Sequence, residues 1–232
     1  MMTLLRRLLL AALIAGAASG ALLGIAQVGF VTPLILEAEV HEHAASAGKE
    51  PVAHEWEPKQ GLERNAYTVL FATLAGIGFA LLLNAGMLLR GRTGIREGLL
   101  WGCAGYMVFS LAPALGLPPE LPGIAATDLL ARQAWWLGTV LATACGLACI
   151  ALARRPWLRA LGVAVLFVPH FIGAPTALVS DASPLEQLER TFVITTLLIM
   201  LGFWLVLGTL SSFLHNKLLA DHHTAASFAR LM

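Results

Sequence analysis

The stretch TFVITTLLIMLGFWLVLGTLSSFL, residues 191–214, contains no Asp, Glu, Lys or Arg. An α-helix needs about 20 predominantly apolar residues to cross a hydrocarbon core roughly 30 Å thick, so this segment is long enough to span a bilayer by itself. Further apolar blocks of similar length precede it, which gives expected spans at residues 8–31, 66–89, 99–115, 133–153, 157–173 and 191–214. The third and fifth are short, with Gly102 and Gly105 read as interruptions of the third and Pro169 of the fifth. The whole chain agrees with this pattern. Of its 232 residues 58% are hydrophobic and only 12% charged, and the mean hydropathy is +0.77. A soluble domain carries about 25% charged residues. The alternating ten-residue strands of an outer-membrane barrel are absent. The expected fold is therefore all-α, a polytopic bundle of six transmembrane helices.

The charges are sorted by loop, and this orients the bundle. Arg6, Arg7, Arg90, Arg92, Arg96, Arg154, Arg155, Arg159, Lys217 and Arg230 fall on one side, ten of the fifteen basic residues. Lys49, Lys59, Arg64, Arg132 and Arg190 fall on the other, together with every acidic residue except Glu97 and Asp221. By the positive-inside bias both termini are expected in the cytoplasm. Residues 1–214 then form the transmembrane domain, with an acidic, histidine-bearing periplasmic loop at 32–65 and a short cytoplasmic tail at 215–232 that holds His215, His222 and His223. Arg6-Arg7, an apolar run and a small-residue stretch at 17–21 also fit a signal peptide, whose removal would leave five spans in the same orientation. The apolar run continues to Leu36, and Gly16, Gly20 and Gly24 are spaced four apart. Such a ladder permits close helix approach in lipid and favours a retained packing helix.

The residues best suited to chemistry lie just past the first span: Glu37, Glu39, His41 and His43. If the helix continues past Pro33, Glu37 faces His41 and Glu39 faces His43, each at i, i+4. Imidazole and carboxylate together suit borderline divalent ions such as cobalt, nickel and zinc. The alternative is a solvated acidic loop whose histidines bind nothing. A second group, His54-Glu55-Trp56-Glu57, follows in the same loop. His170 stands beside Pro169 in the fifth segment. There a broken helical ladder frees backbone carbonyls, so the histidine is either an ion ligand or an interfacial cap for those carbonyls.

Gln27, Asn84, Ser110, Thr139 and Thr143 read as interhelical hydrogen-bond partners. Cys103, Cys145 and Cys149 read as small packing residues. Asp128 is expected to cap the fourth span or pair with Arg132, and Trp135 and Trp136 to anchor that span at the interface. No nucleophile elbow, phosphate loop or H-E-x-x-H helix is present, so no enzymatic activity and no tightly bound cofactor are expected. Without an ATP-binding motif, any transport would be coupled to a gradient, to a partner, or to nothing but the channel itself.

Several strings in order, PLILEAEVHEH (33–43), GLERNAYT (61–68), GIGFALLL (76–83), REGLLWGCAGYMVFSLAPALGLPPELPG (96–123), DLLARQAWW (128–136) and PHFIGAP (169–175), resemble the proposed cobalt transporter subunit family, CbtA. The resemblance runs over nearly the whole chain, and LAPALGLPPELPG followed by DLLARQAWW is its most specific part. It implies a cobalt uptake protein of the bacterial inner membrane, linked to cobalamin biosynthesis. It also implies a small single-span partner, CbtB. Cobalt, with nickel as a second candidate, would then be the transported ion; membrane lipid would be the surrounding partner, and nucleic acid plays no part. A different class of function, a metal-sensing or assembly scaffold that transports nothing, is equally compatible with glycine-rich packing faces.

Overall fold

A computed structural model describes residues 2–46, 58–91, 94–122, 128–175 and 185–219, and within them the side chains of 5–42, 58–91, 94–122, 128–175 and 185–218. The His54-Glu55-Trp56-Glu57 group, His222, His223 and the side chain of His43 lie outside these. Every regular element among the described residues is helical. In chain order they are α1 (Met2–Ala26), a π-turn (Gln27–Val31), α2 (Thr32–Ser46), α3 (Leu62–Arg90), α4 (Ile95–Tyr106), a second π-turn (Met107–Leu111), α5 (Ala112–Ala114), α6 (Leu129–Leu152), α7 (Pro156–Ile172) and α8 (Glu186–Leu219).

Four helical stretches are long and apolar enough to cross a membrane: Leu5–Glu42, Leu62–Arg90, Leu129–Leu152 and Glu186–Leu218. The other two expected spans are helical but shorter or discontinuous. The third is α4, a π-turn and α5 in succession. The fifth is α7, whose 17 residues rise about 26 Å.

Both π-turns have the same local cause. Pro33 follows the first by two residues, and Pro113 follows the second by two. A proline lacks an N–H and its ring collides with the carbonyl four residues back, here Gly29 and Phe109. Widening the preceding turn moves that carbonyl away while the helix goes on. The stretch 32–65, expected as a loop, is therefore helical as far as Ser46. Gly102, expected to interrupt the third span, lies inside continuous α4.

The chain divides into two compact units: one from the described residues of Met1–Gly29, Val52–Cys103 and Ile199–Met232, the other from those of Phe30–Pro51 and Ala104–Leu198. In the first unit the glycine ladder of α1 lies against α3. A Cβ on Gly20 would come 2.5 Å from the Ala72 carbonyl oxygen, and one on Gly24 2.6 Å from Val69 Cα. Backbone thus meets backbone, as in small-residue membrane interfaces. α4 meets α8 in the same way. A Cβ on Gly98 would sit 2.8 Å from the Gly208 oxygen and 2.9 Å from Ser212 Cβ, and Ser212 Oγ both donates to the Gly94 oxygen (2.8 Å) and accepts from its N–H (2.9 Å). Phe79 packs on Trp204 at 4.8 Å between ring centroids. Arg7 Nη1 donates to the Leu218 carbonyl at 2.7 Å, which joins the start of α1 to the last turn of α8.

In the second unit α6 and α7 meet through Gly146 and Gly162, where a Cβ on either would stand 2.7 Å from the other's carbonyl oxygen. Asp128 caps α6 by accepting from the Leu130 N–H at 3.3 Å. Arg132 instead pairs with Glu120 at 2.7 Å.

Candidate functional site

On α2 the helix carries the spacing through. Because it runs unbroken past Pro33, Glu37 with His41 and Glu39 with His43 each fall one turn apart. Each residue advances about 100° around the axis, so Glu37 and Glu39 diverge by about 200°. The four expected ligands are therefore two pairs on opposite faces and cannot converge on one ion from this helix. Glu37 and His41 are exposed; Ala38 between them is fully buried. Glu39 is half-buried and already has an interaction partner. Among the described residues no group of three or more His, Cys, Asp or Glu is positioned to hold a metal ion. An ion met by Glu37 and His41 would keep most of its water.

His170 occupies the last turn of α7, half-buried beside buried Pro169. Pro169 removes the N–H that would bond the Val165 carbonyl. The carbonyl of Pro169 itself is doubly satisfied, by Trp135 Nε1 at 3.2 Å and by the Gly173 N–H at 3.1 Å. The Trp135 ring also meets the His170 imidazole edge to face, 5.9 Å between centroids at 71°. Room for the indole comes from Gly116, where a Cβ would come 2.6 Å from Trp135 Cζ2. Trp135, expected as an interface anchor, thus ties α6 to the end of α7 and packs beside His170.

The sequence reading missed one buried group. His215, expected in a cytoplasmic tail, belongs to α8, which continues to Leu219. It is 7% exposed, and its Nδ1 has no hydrogen-bond partner. Ser211, one turn earlier, is fully buried with its Oγ likewise unpartnered. A signal was available in the spacing Trp204, Leu207, Ser211, His215, which continues a single buried helical face. Asn84 on α3 was read as a hydrogen-bonding group, and its Nδ2 does donate to the Ala80 carbonyl at 2.8 Å, but its Oδ1 is buried without a partner.

No curated protein and no solved structure matches the chain. A family model described as "Probable cobalt transporter subunit (CbtA)" matches residues 5–216. That match takes in α2, Trp135, His170 and Ser211 through His215, and by it the chain belongs to the CbtA family.

Proposed function

We propose that this chain is an integral inner-membrane subunit of a cobalt uptake transporter associated with cobalamin biosynthesis. The observation that carries the reading is the family match across residues 5–216, taken together with four helices long and apolar enough to cross a membrane. In this reading α4–α5 and α7 also cross, six spans in all, and both termini are cytoplasmic, as the arginine sorting favours. A small single-span subunit, CbtB, completes the transporter.

Glu37 and His41 stand exposed at the outer end of the first long helix. They meet the hydrated ion there and raise its local concentration. His170, steadied by Trp135, lies at the outer end of α7 next to Pro169, which leaves the Val165 carbonyl without its helical N–H and so able to add an oxygen ligand. The ion is exchanged between weak ligands rather than held by a closed cage, which suits conduction: binding must permit release.

The test is uptake of radiolabelled cobalt by cells making the chain with and without its partner subunit. Uptake above that of cells lacking both is expected. Uptake unchanged by Glu37→Ala combined with His170→Ala would remove this outer route while leaving transport intact. Cobalt binding without flux in liposomes that hold both subunits would instead make the chain a sensor or scaffold.

A further inference from the structure

Ser211 and His215 lie one turn apart on the same face of α8, and each buries a polar atom with no partner. Buried polar atoms are nearly always paired, and one left alone costs about 1–3 kcal/mol. The usual escape for a helical hydroxyl is to donate to the carbonyl four residues back. Thr209 does this with Leu205 at 2.7 Å and Thr139 with Trp135 at 2.9 Å. Ser211 does not, and neither do Thr143 and Thr196, but Ser211 stands one turn from a buried histidine that has its own unpartnered nitrogen. The Ser211 oxygen is left free inside the packed first unit, together with the imidazole nitrogen of His215.

Helix directions place these atoms. α1 runs opposite to α3, since Gly16 meets Ile77 and Gly24 meets Val69. It also runs opposite to α8, since Arg7 reaches Leu218 while Ser19 lines a groove with Phe203. α3 and α8 therefore run the same way. Phe79 packs on Trp204, so Asn84, with its own unpartnered Oδ1, lies toward the same end as Ser211 and His215.

We propose that Ser211 and His215 form a second, inner binding site for the divalent transition-metal cargo, with His215 Nδ1 as its nitrogen ligand, Ser211 Oγ as an oxygen ligand and water completing the coordination. Nitrogen with oxygen suits borderline divalent ions. A neutral imidazole and a hydroxyl carry no charge to hold the ion, and two cations belong to the same end of α8: Lys217, two residues on, over the Phe213 ring at 6.0 Å, and Arg7 of α1, bonded to the Leu218 carbonyl. They limit residence, as a release site requires. The site rests on the transport reading for the identity of its ligand, but its existence can be tested without transport.

The experiment is equilibrium dialysis of the purified full chain in detergent against cobalt(II) chloride alone, read with its visible absorption spectrum. His215→Ala is expected to weaken one class of sites by about tenfold or more, a loss that even second-shell changes reach at metal centres. Ser211→Ala is expected to weaken the same class. Ser211→Cys adds a thiolate-to-cobalt charge-transfer band, a gain that no folding defect can produce. Unchanged stoichiometry and affinity in both alanine variants, with no new band in the cysteine variant, would overturn the site. Absence of flux in liposomes that hold the unaltered chain with its partner subunit, with binding at His215 retained, would overturn the transport reading and leave the site standing.

Discussion

Two pairs in this chain have the same spacing and opposite surroundings. Glu37 and His41 stand one turn apart on α2 in the open, whereas Ser211 and His215 stand one turn apart on α8 inside a packed unit. The i, i+4 register brings two side chains together in either place. What differs is what water can do. On α2 the carboxylate and imidazole stay hydrated and bind only what outcompetes their solvent. On α8 both side chains are buried and each keeps a polar atom without a partner, so a ligand there meets atoms that bulk water does not already satisfy. Spacing sets which atoms can cooperate, and burial sets how much they gain by it.

The comparison breaks most forcefully at Gly98. Gly98→Val would drive a side chain into Gly208, Thr209 and Ser212, all within 3.0 Å of its Cβ. Overpacking of this kind costs about 1–3 kcal/mol, occasionally more. A lowered Tm in detergent is expected, with cobalt binding at the α8 pair lost alongside it and binding at the α2 pair kept. A lowered Tm with both retained would mean that the buried pair does not depend on this packing.

Next in size is the exposed pair itself. Glu37→Gln with His41→Ala should raise the KM of cobalt uptake by about tenfold, near the low end of electrostatic focusing, and leave the maximal rate in place. A fall in maximal rate at constant KM would move these residues from collection into the rate-determining step.

Ionic strength separates the pairs without disturbing either fold. The screening length falls from about 30 Å at 0.01 M to about 3 Å at 1 M. Dialysis of His215→Ala, which keeps the α2 pair, should therefore show cobalt affinity falling several-fold over that range. The Glu37→Gln, His41→Ala chain, which keeps the α8 pair, should change little. Equal salt dependence would erase the distinction.

The smallest effect is expected at Arg132 and Glu120, whose side chains are 22% and 33% exposed and so lie between the two extremes. Glu120→Gln should lower stability by about 1 kcal/mol or less, measured as a small Tm shift that shrinks in high salt. A larger, salt-independent loss would place this pair with the buried groups.

The parts of the fold that hydrophobicity controls were legible in the residues. Uninterrupted apolar runs give helices wherever backbone polar groups lack water, and Gly16, Gly20 and Gly24 marked the face that α3 covers. The i, i+4 register of Glu37 with His41 was also legible once the helix continued past Pro33. Three readings went the other way for one reason. Polarity or propensity alone makes Gly102 a break, His215 a tail residue and 32–65 a loop, of which 32–46 is helix. Gly102 is instead where α8 comes close, with a Cβ there 3.2 Å from Leu205 Cα. His215 is buried by its neighbours, and the helix passes Pro33 because a π-turn absorbs the clash.

The sequence by itself determined that this chain is an all-helical, apolar protein, because blocks without charge can satisfy their backbone only internally. It also determined which residues are one turn apart. Only the tertiary structure decided that Glu37 and His41 remain in the open, that Trp135 packs against the end of α7 beside His170, and that Ser211 and His215 are buried. Burial is conferred by residues distant in the chain, and no local pattern carries that information.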